Sequence, residues 1–166
     1  LAFDRLYKGD NRYRLIIKAR DGWDNTWLAG LVSDQVSVVG GQQDEASWQQ
    51  LLREAHCFVF PSRGEGFGLP PREATLAGLP TIATHWLGMW DVDCWGLPLG
   101  VKELWPCQLS VYEANAEGGL WAQPDLDSLD HWMQEVVRNY PKAVELARQG
   151  REYLLAYSSF EVMASR

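Results

Sequence analysis

Apolar residues are distributed along the chain in short continuous runs and in helical repeats, and the two kinds alternate. Arg14 to Ala19, Gln35 to Val39 and Cys57 to Phe60 have the length and composition of strands, and Thr81 to Ala83 is a further short one. The run at Cys57, stopped by Pro61 and Ser62, reads as a strand buried on both faces, as in parallel sheets. Between the runs lie helices. Asp44 is placed to cap a helix whose apolar positions Trp48, Leu51, Leu52 and Ala55 fall at i, i+3, i+4 and i+7 and pack on the sheet. Asp125 or Asp127 caps another, with Leu129, Trp132, Met133, Val136 and Val137 on one face, and Pro141 opens a third that reaches about Tyr157. Leu1 to Tyr7 reads as the end of a helix broken at Gly9, Asp10 and Asn11, and a short helix is expected around Trp27 to Leu31. The stretch His85 to Gly119 has no clear period and reads as a long loop, either functional or holding irregular structure, ahead of a last short strand at Gly119 to Ala122. At the end, Ser158 to Glu161 has the pattern of a capping box. Strands alternating with helices predict the α/β class, a doubly wound, Rossmann-like parallel sheet covered by helices on both faces.

Composition narrows this picture. A chain of 166 residues with 46% hydrophobic content can bury a sizeable core as one domain. No apolar run approaches the ~18 residues of a spanning helix and no signal-peptide pattern opens the chain, so a cytoplasmic protein is expected. A net charge of −7 argues against nucleic acid as partner. Cys57, Cys94 and Cys107 lack metal-like spacing and read as free thiols, Cys57 in the core. The nine tryptophans are many for this length. Polar neighbours around Trp23, Trp27, Trp86, Trp90 and Trp95 suggest that some line a cleft or an interface.

The candidate chemistry sits in CFVFPSRGEGFGLPPREATLAGLPTIAT, Cys57 to Thr84, which reads as strand, glycine turn, helix, strand. Gly64, Gly66 and Gly68 allow positive φ and close approach of a ligand to backbone. Pro70 or Pro71 suits the first turn of a helix that ends at Gly78. Such a turn offers unpaired N–H groups and the positive end of a helix dipole to an anion. A dinucleotide fingerprint fails, because Leu69 stands where its third glycine is required. What the turn holds instead is a carboxylate, Glu65, with Glu73 about a turn into the helix. Carboxylates suit hydroxyl donors, so the ligand expected is one that carries both phosphate and sugar diols, a nucleotide-sugar.

Glu65, seven intervening residues and Glu73, within PSRGEGFGLPPREATLAGLPTIAT, closely resemble the E-x7-E motif of retaining glycosyltransferases of the GT-B fold, family 4. The resemblance continues at Trp121 to Asp125, WAQPD, similar to the family's WAEPD-type segment with Gln123 in place of the usual acid, and more weakly through RLIIKARDG and the terminal helices. It implies that Glu65 faces the transferred sugar as the catalytic carboxylate and that Glu73 binds the ribose. It implies also that the backbone of Gly66, Phe67, Gly68 and Leu69 lies along the diphosphate; Ser62 and Gly64 complete the donor-binding set. By the same resemblance the chain is the carboxy-terminal, nucleotide-sugar-binding domain of a larger enzyme. The resemblance then implies that the amino-terminal acceptor domain, the first strand and the family's basic phosphate anchor are expected outside these 166 residues. Lys8 is too close to the first strand to be that anchor, which leaves Lys18 and Arg20 as the basic substitutes nearby. His85, at the carboxyl end of a parallel strand, is a further ligand-contact candidate.

The expected activity is sugar transfer from a UDP- or GDP-linked donor to an acceptor hydroxyl with retention. Retention requires either a double displacement, with Glu65 as the nucleophile, or a front-face route; the resemblance implies the second, in which Glu65 orients sugar hydroxyls and stabilises developing positive charge. The fragment alone is expected to be inactive, with no cofactor and no metal. The acceptor is a glycan, lipid or small molecule, and any membrane contact is peripheral and made through the missing part. A different class of function is a non-catalytic nucleotide-sugar-binding or scaffolding module. A purely structural reading has Glu65 cap the turn and Glu73 form a surface ion pair with Arg72 or Arg63. His56, at a helix end, reads as structural.

Overall fold

The computed structural model describes residues 1–19, 26–107 and 119–157, so Arg20, Trp23 and the Ser158 to Glu161 pattern lie outside the described residues. The chain forms two compact units, Leu1–Leu51 and Leu52–Arg166.

In the first unit, helix α1 (Ala2–Tyr7) leads through the expected break, with Gly9 at φ +83°, into strand β1 (Leu15–Lys18). A 3-10 helix at Thr26–Leu31 precedes β2 (Val36–Val39), and β1 pairs parallel with β2 from Leu15 opposite Val36 to Lys18 opposite Val39. The break is held by one side chain. Gln35 Oε1 accepts from the Gly9 N–H at 2.7 Å, while its Nε2 donates to the Asp10 carbonyl at 2.8 Å and the Tyr7 carbonyl at 3.1 Å. Helix α2 (Glu45–Glu54) crosses the boundary between the units, and Asp44 caps it as expected, Oδ1 accepting from the Ser47 N–H at 2.8 Å.

The second unit is built on a three-stranded parallel sheet in the order β3 (Phe58–Phe60), β4 (Thr81–Thr84), β5 (Leu97–Leu99). Phe58 lies opposite Thr81 and Ile82 opposite Leu97. The strand buried on both faces is β4, the middle one, and not the Cys57 run: every residue of β4 is buried, whereas β3, paired on one side within this sheet, is half-buried throughout. Helix α3 (Leu69–Leu76) connects β3 to β4. After β4 the described part of the stretch expected as loop or irregular structure is a series of short elements: a 3-10 turn at Leu87–Met89, α4 (Val92–Trp95), β5 and β6 (Val101–Pro106); its residues 108–118 lie outside the described ones. Each is too short to show a period. The last strand, β7 (Leu120–Pro124), pairs antiparallel with β6, Trp105 opposite Trp121, so this part departs from an all-parallel sheet.

Helix α5 (Leu126–Arg138) starts at Asp125, whose carboxylate accepts from the Asp127 N–H at 3.0 Å, and Leu129 and Val136 are its buried positions. Val137, expected on that face, is 43% exposed. Helix α6 (Tyr140–Tyr157) packs against α3, α4 and α5. Ala83, Met89, Val92, Trp95 and Leu154 form one core cluster, flanked by Phe60 and Tyr153. Full burial of side chains such as Met89 and Leu154 contributes about 1.5–3 kcal/mol each. Trp95 therefore belongs to the core and not to a cleft, whereas Trp27 and Trp90 are 63% and 71% exposed. The three cysteines are free, and burial pushes the Cys57 thiol up to about 12. No helix among the described residues is long and apolar enough to cross a membrane.

Candidate functional site

The turn from Ser62 to Gly68 joins β3 to α3, as the strand–glycine–proline pattern predicts. Helix α3 begins with Pro70 and Pro71 in its first turn, where missing N–H groups cost nothing, and Gly78 at φ +91° follows its end. Of the three glycines in the turn, only Gly68 adopts positive φ, +72°. A side chain there would also meet Met89, since a Cβ would lie 2.8 Å from Met89 Cγ. Beside Gly66 the space is open, so what its missing side chain provides is access to the backbone.

Hydrogen bonding divides the turn into protein-facing carbonyls and unengaged N–H groups. The Glu65 carbonyl accepts from the Gly88 N–H at 3.1 Å and the Phe67 carbonyl from Arg72 Nε at 3.0 Å. The Gly68 carbonyl accepts from the Arg72 N–H at 3.4 Å. Among the described residues, nothing accepts from the N–H groups of Gly66, Phe67 or Gly68. Successive unengaged donors at the start of a helix can take an anion, although Gly68 itself is buried and Gly66 and Phe67 are exposed. The half-buried Glu65 accepts from the Ser62 hydroxyl at 2.9 Å through Oε1, which fixes the carboxylate and leaves Oε2 for a ligand. Glu73 lies exposed one turn into α3, and Phe67 and Leu69 are 38% and 59% exposed. The chemical capacity of this short stretch is to bind phosphate oxygens by N–H groups and hydroxyls by carboxylates.

Arg72 and Arg63 bind elsewhere than the structural reading of the glutamates requires. Arg72, 5% exposed, pairs with Asp91 at 2.7 Å, and Arg63 donates to Gln123 Oε1 at 3.0 Å. Burial pushes the Asp91 carboxyl up, but the hydrogen bonds and charge of Arg72 outweigh it and hold it below the usual carboxylate range. The β6–β7 hairpin meets the same turn: the Ala122 N–H donates to the Arg63 carbonyl at 2.9 Å, Arg63 lies over Trp105 at 5.5 Å, and Trp121 abuts Gly64. Sequence reasoning expected the strand at Gly119 to Ala122 that becomes β7, but missed its partner β6, the buried role of Arg72, and Gly88 and Asp91. The available hint was a charged residue beside Pro71, Ala74 and Thr75 of α3.

The two outlying candidates have other engagements. Lys18 belongs to the first unit, where its ammonium donates to the carbonyls of Ala19 and Gly41, each at 2.6 Å. His85 follows β4 in the second unit, exposed, with Nε2–H donating to the Trp90 carbonyl at 2.6 Å.

The profile of the family described as Glycosyl transferases group 1 matches residues 2–93, more than half of the chain, and the match contains the whole Glu65 turn. The chain belongs to that family. Among sequence relatives, O-antigen chain mannosyltransferase B of Escherichia coli is 35% identical over 79 residues, 45% of this chain and 20% of that protein. Lipopolysaccharide core biosynthesis mannosyltransferase LpsB of Rhizobium meliloti (strain 1021) is 43% identical over 56 residues, 34% of this chain and 15% of that protein. The chain thus spans a small part of the length of either relative. The crystal structure of the C-terminal domain of the glycosyl transferase group 1 family protein LpcC from Francisella tularensis superimposes with a TM-score of 0.70 at 17% identity. That match covers 96% of this chain and 76% of the other. TarM gives a TM-score of 0.70 at 19% identity, covering 99% of this chain and 30% of TarM. At these identities the likeness concerns the fold, which is that of a GT-B glycosyltransferase carboxy-terminal domain.

Proposed function

We propose that this glycosyl transferases group 1 chain is the donor-binding part of a retaining glycosyltransferase and that its nucleotide-sugar occupies the turn from Ser62 to Glu73. The observation that carries the reading is the set of unengaged N–H groups of Gly66, Phe67 and Gly68 at the start of α3, flanked by Glu65 and Glu73. The N–H groups take the diphosphate, Glu73 accepts the ribose hydroxyls, and Glu65 faces the sugar with the oxygen that Ser62 does not use. Transfer breaks the bond between the anomeric carbon and the diphosphate oxygen while the acceptor hydroxyl attacks from the same face and gives its proton to the departing diphosphate. Glu65 orients the sugar and stabilises the positive charge that develops on it. A mannosyl donor is the first choice, because both sequence relatives are named mannosyltransferases. The acceptor and the groups that bind it belong to the remainder of the enzyme, since the chain spans so little of either relative.

Calorimetric titration with GDP and UDP tests the reading. One of the two is expected to bind, with unchanged affinity in the presence of a chelator, because backbone N–H groups supply the anion site. The chain alone is expected to transfer no sugar from GDP-mannose to added acceptors. Absence of binding by both nucleotides contradicts the proposed site, and transfer by the isolated chain contradicts its assignment as a donor half.

A further inference from the structure

Arg72 is an unusual presence on α3: a guanidinium 5% exposed, on the helix that opens the donor site, and bonded both to the glycine turn at Phe67 and to the segment Gly88–Asp91. Its Nη2 and Nη1 donate to the Asp91 carboxylate at 2.7 and 3.2 Å. Nε donates to the Phe67 carbonyl at 3.0 Å and Nη2 to the Gly88 carbonyl at 3.2 Å. The ring of Phe67 lies against the guanidinium at 4.3 Å from its centroid. Gly88 in turn donates its N–H to the Glu65 carbonyl at 3.1 Å, and its backbone comes so close that a Cβ there would lie 2.1 Å from the Gly66 carbonyl oxygen.

These contacts have one geometric effect in common. They engage the carbonyls of Glu65 and Phe67 from the protein side, and a peptide whose carbonyl is pinned has the orientation of its N–H partner fixed as well, because each peptide unit is planar. The carbonyl of Glu65 belongs to the peptide whose N–H is that of Gly66, and the carbonyl of Phe67 to the peptide whose N–H is that of Gly68. Two of the three donors offered to the diphosphate are therefore oriented by bonds that end, directly or through Gly88, on Arg72.

We infer that Arg72 is a positioning residue of the donor site, fixing the Gly66 and Gly68 N–H groups through the Phe67 and Gly88 carbonyls, with Asp91 serving to hold its guanidinium in place. This rests on the reading of the turn as the donor site and adds to it a residue that touches no substrate. A lysine cannot replace it, since one ammonium cannot supply the planar fork that reaches carboxylate and two carbonyls together.

The test separates positioning from simple support of the fold. Removing both members of a buried pair, as in Arg72→Met with Asp91→Leu, leaves no uncompensated charge and is expected to keep the melting temperature near that of the parent. GDP and UDP are titrated into parent and variants, and the nucleotide that the parent binds is the probe. Its affinity is expected to fall at least tenfold in the double variant and in Arg72→Lys, with melting held in both. Parental affinity in either folded variant overturns the inference and leaves the donor site itself standing, whereas absence of binding in the parent overturns both. A measurement on the unaltered protein needs no variant to fold. The Arg72 Nε–H resonance is expected to shift on saturation with the nucleotide, and a resonance that does not move overturns the inference.

Discussion

The contacts that the Glu65 turn makes with the segment Gly88–Asp91 and those that it makes with the β6–β7 hairpin differ in burial, and so in what they contribute. Arg72 and Asp91 have side chains 5% and 8% exposed, in a setting where a charge must be paired. Arg63, Gln123 and Trp105 meet at the surface, with Arg63 exposed and Trp105 44% exposed. Hydrogen bonds and cation–π contacts in water are each worth about 1 kcal/mol or less. The first set of contacts dictates where the backbone of the turn lies; the second trims it. A site that must offer N–H groups in a fixed array is best held by carbonyl contacts from a buried, immobile donor.

Breaking the buried support gives the largest expected effect. Arg72→Leu leaves the Asp91 carboxylate buried without its partner, and the chain is expected to lose about 3–5 kcal/mol in chemical denaturation. A loss below ~1 kcal/mol contradicts the assigned burial of the pair. Next comes Gly88→Ala, whose Cβ would press on the Gly66 carbonyl and force the two segments apart at a cost of about 1–3 kcal/mol. Nucleotide affinity is expected to fall with it, and unaltered affinity with unaltered stability contradicts the close approach.

Acid sharpens the same comparison. The folded-state carboxyl of Asp91 titrates below its ordinary 3.8, so the unfolded chain binds the proton more readily. The contribution of the pair is then fully present above about pH 5 and is lost as pH falls through the lowered native value. Denaturation of parent and Asp91→Asn, followed from neutral pH downward, is expected to converge below the ordinary aspartate range. A constant difference down to the acid limit contradicts the assignment. At the hairpin the effects are the smallest: Arg63→Ala or Gln123→Ala is expected to change stability by about 1 kcal/mol or less, and Gln123→Glu to add a weak surface ion pair that salt removes. A hairpin variant as damaging as Arg72→Leu reverses the ranking of the two supports.

The same division governs how much could be read from sequence. Helix caps at Asp44 and Asp125, the proline start of α3 and its end at Gly78 are local devices, whose partners lie within a few residues, and each appears where the pattern placed it. The glutamate turn was legible for that reason, as a strand, glycines and prolines in succession. Strands β5 and β6 were not, because three to six residues carry no period and their pairing with β4 and β7 is decided over long range. Arg72 was read only as a surface ion-pair partner of Glu73 through the same cause: its actual partners Gly88 and Asp91 are 16 and 19 residues away. The glycines of the turn looked alike in sequence, yet only Gly68 needs its conformational freedom.

The central claim is that the two glutamates flank a nucleotide-sugar, with Glu73 at the ribose and Glu65 at the sugar. Titration of the Glu65→Gln and Glu73→Gln variants with whichever of GDP or UDP the parent binds tests it most directly. Loss of charged hydrogen bonds to the ribose is expected to weaken binding in Glu73→Gln by roughly 1–3 kcal/mol, while Glu65→Gln binds nearly as the parent because a nucleoside diphosphate carries no transferred sugar. Binding abolished by Glu65→Gln and untouched by Glu73→Gln would contradict the account and turn the ligand end for end in the site.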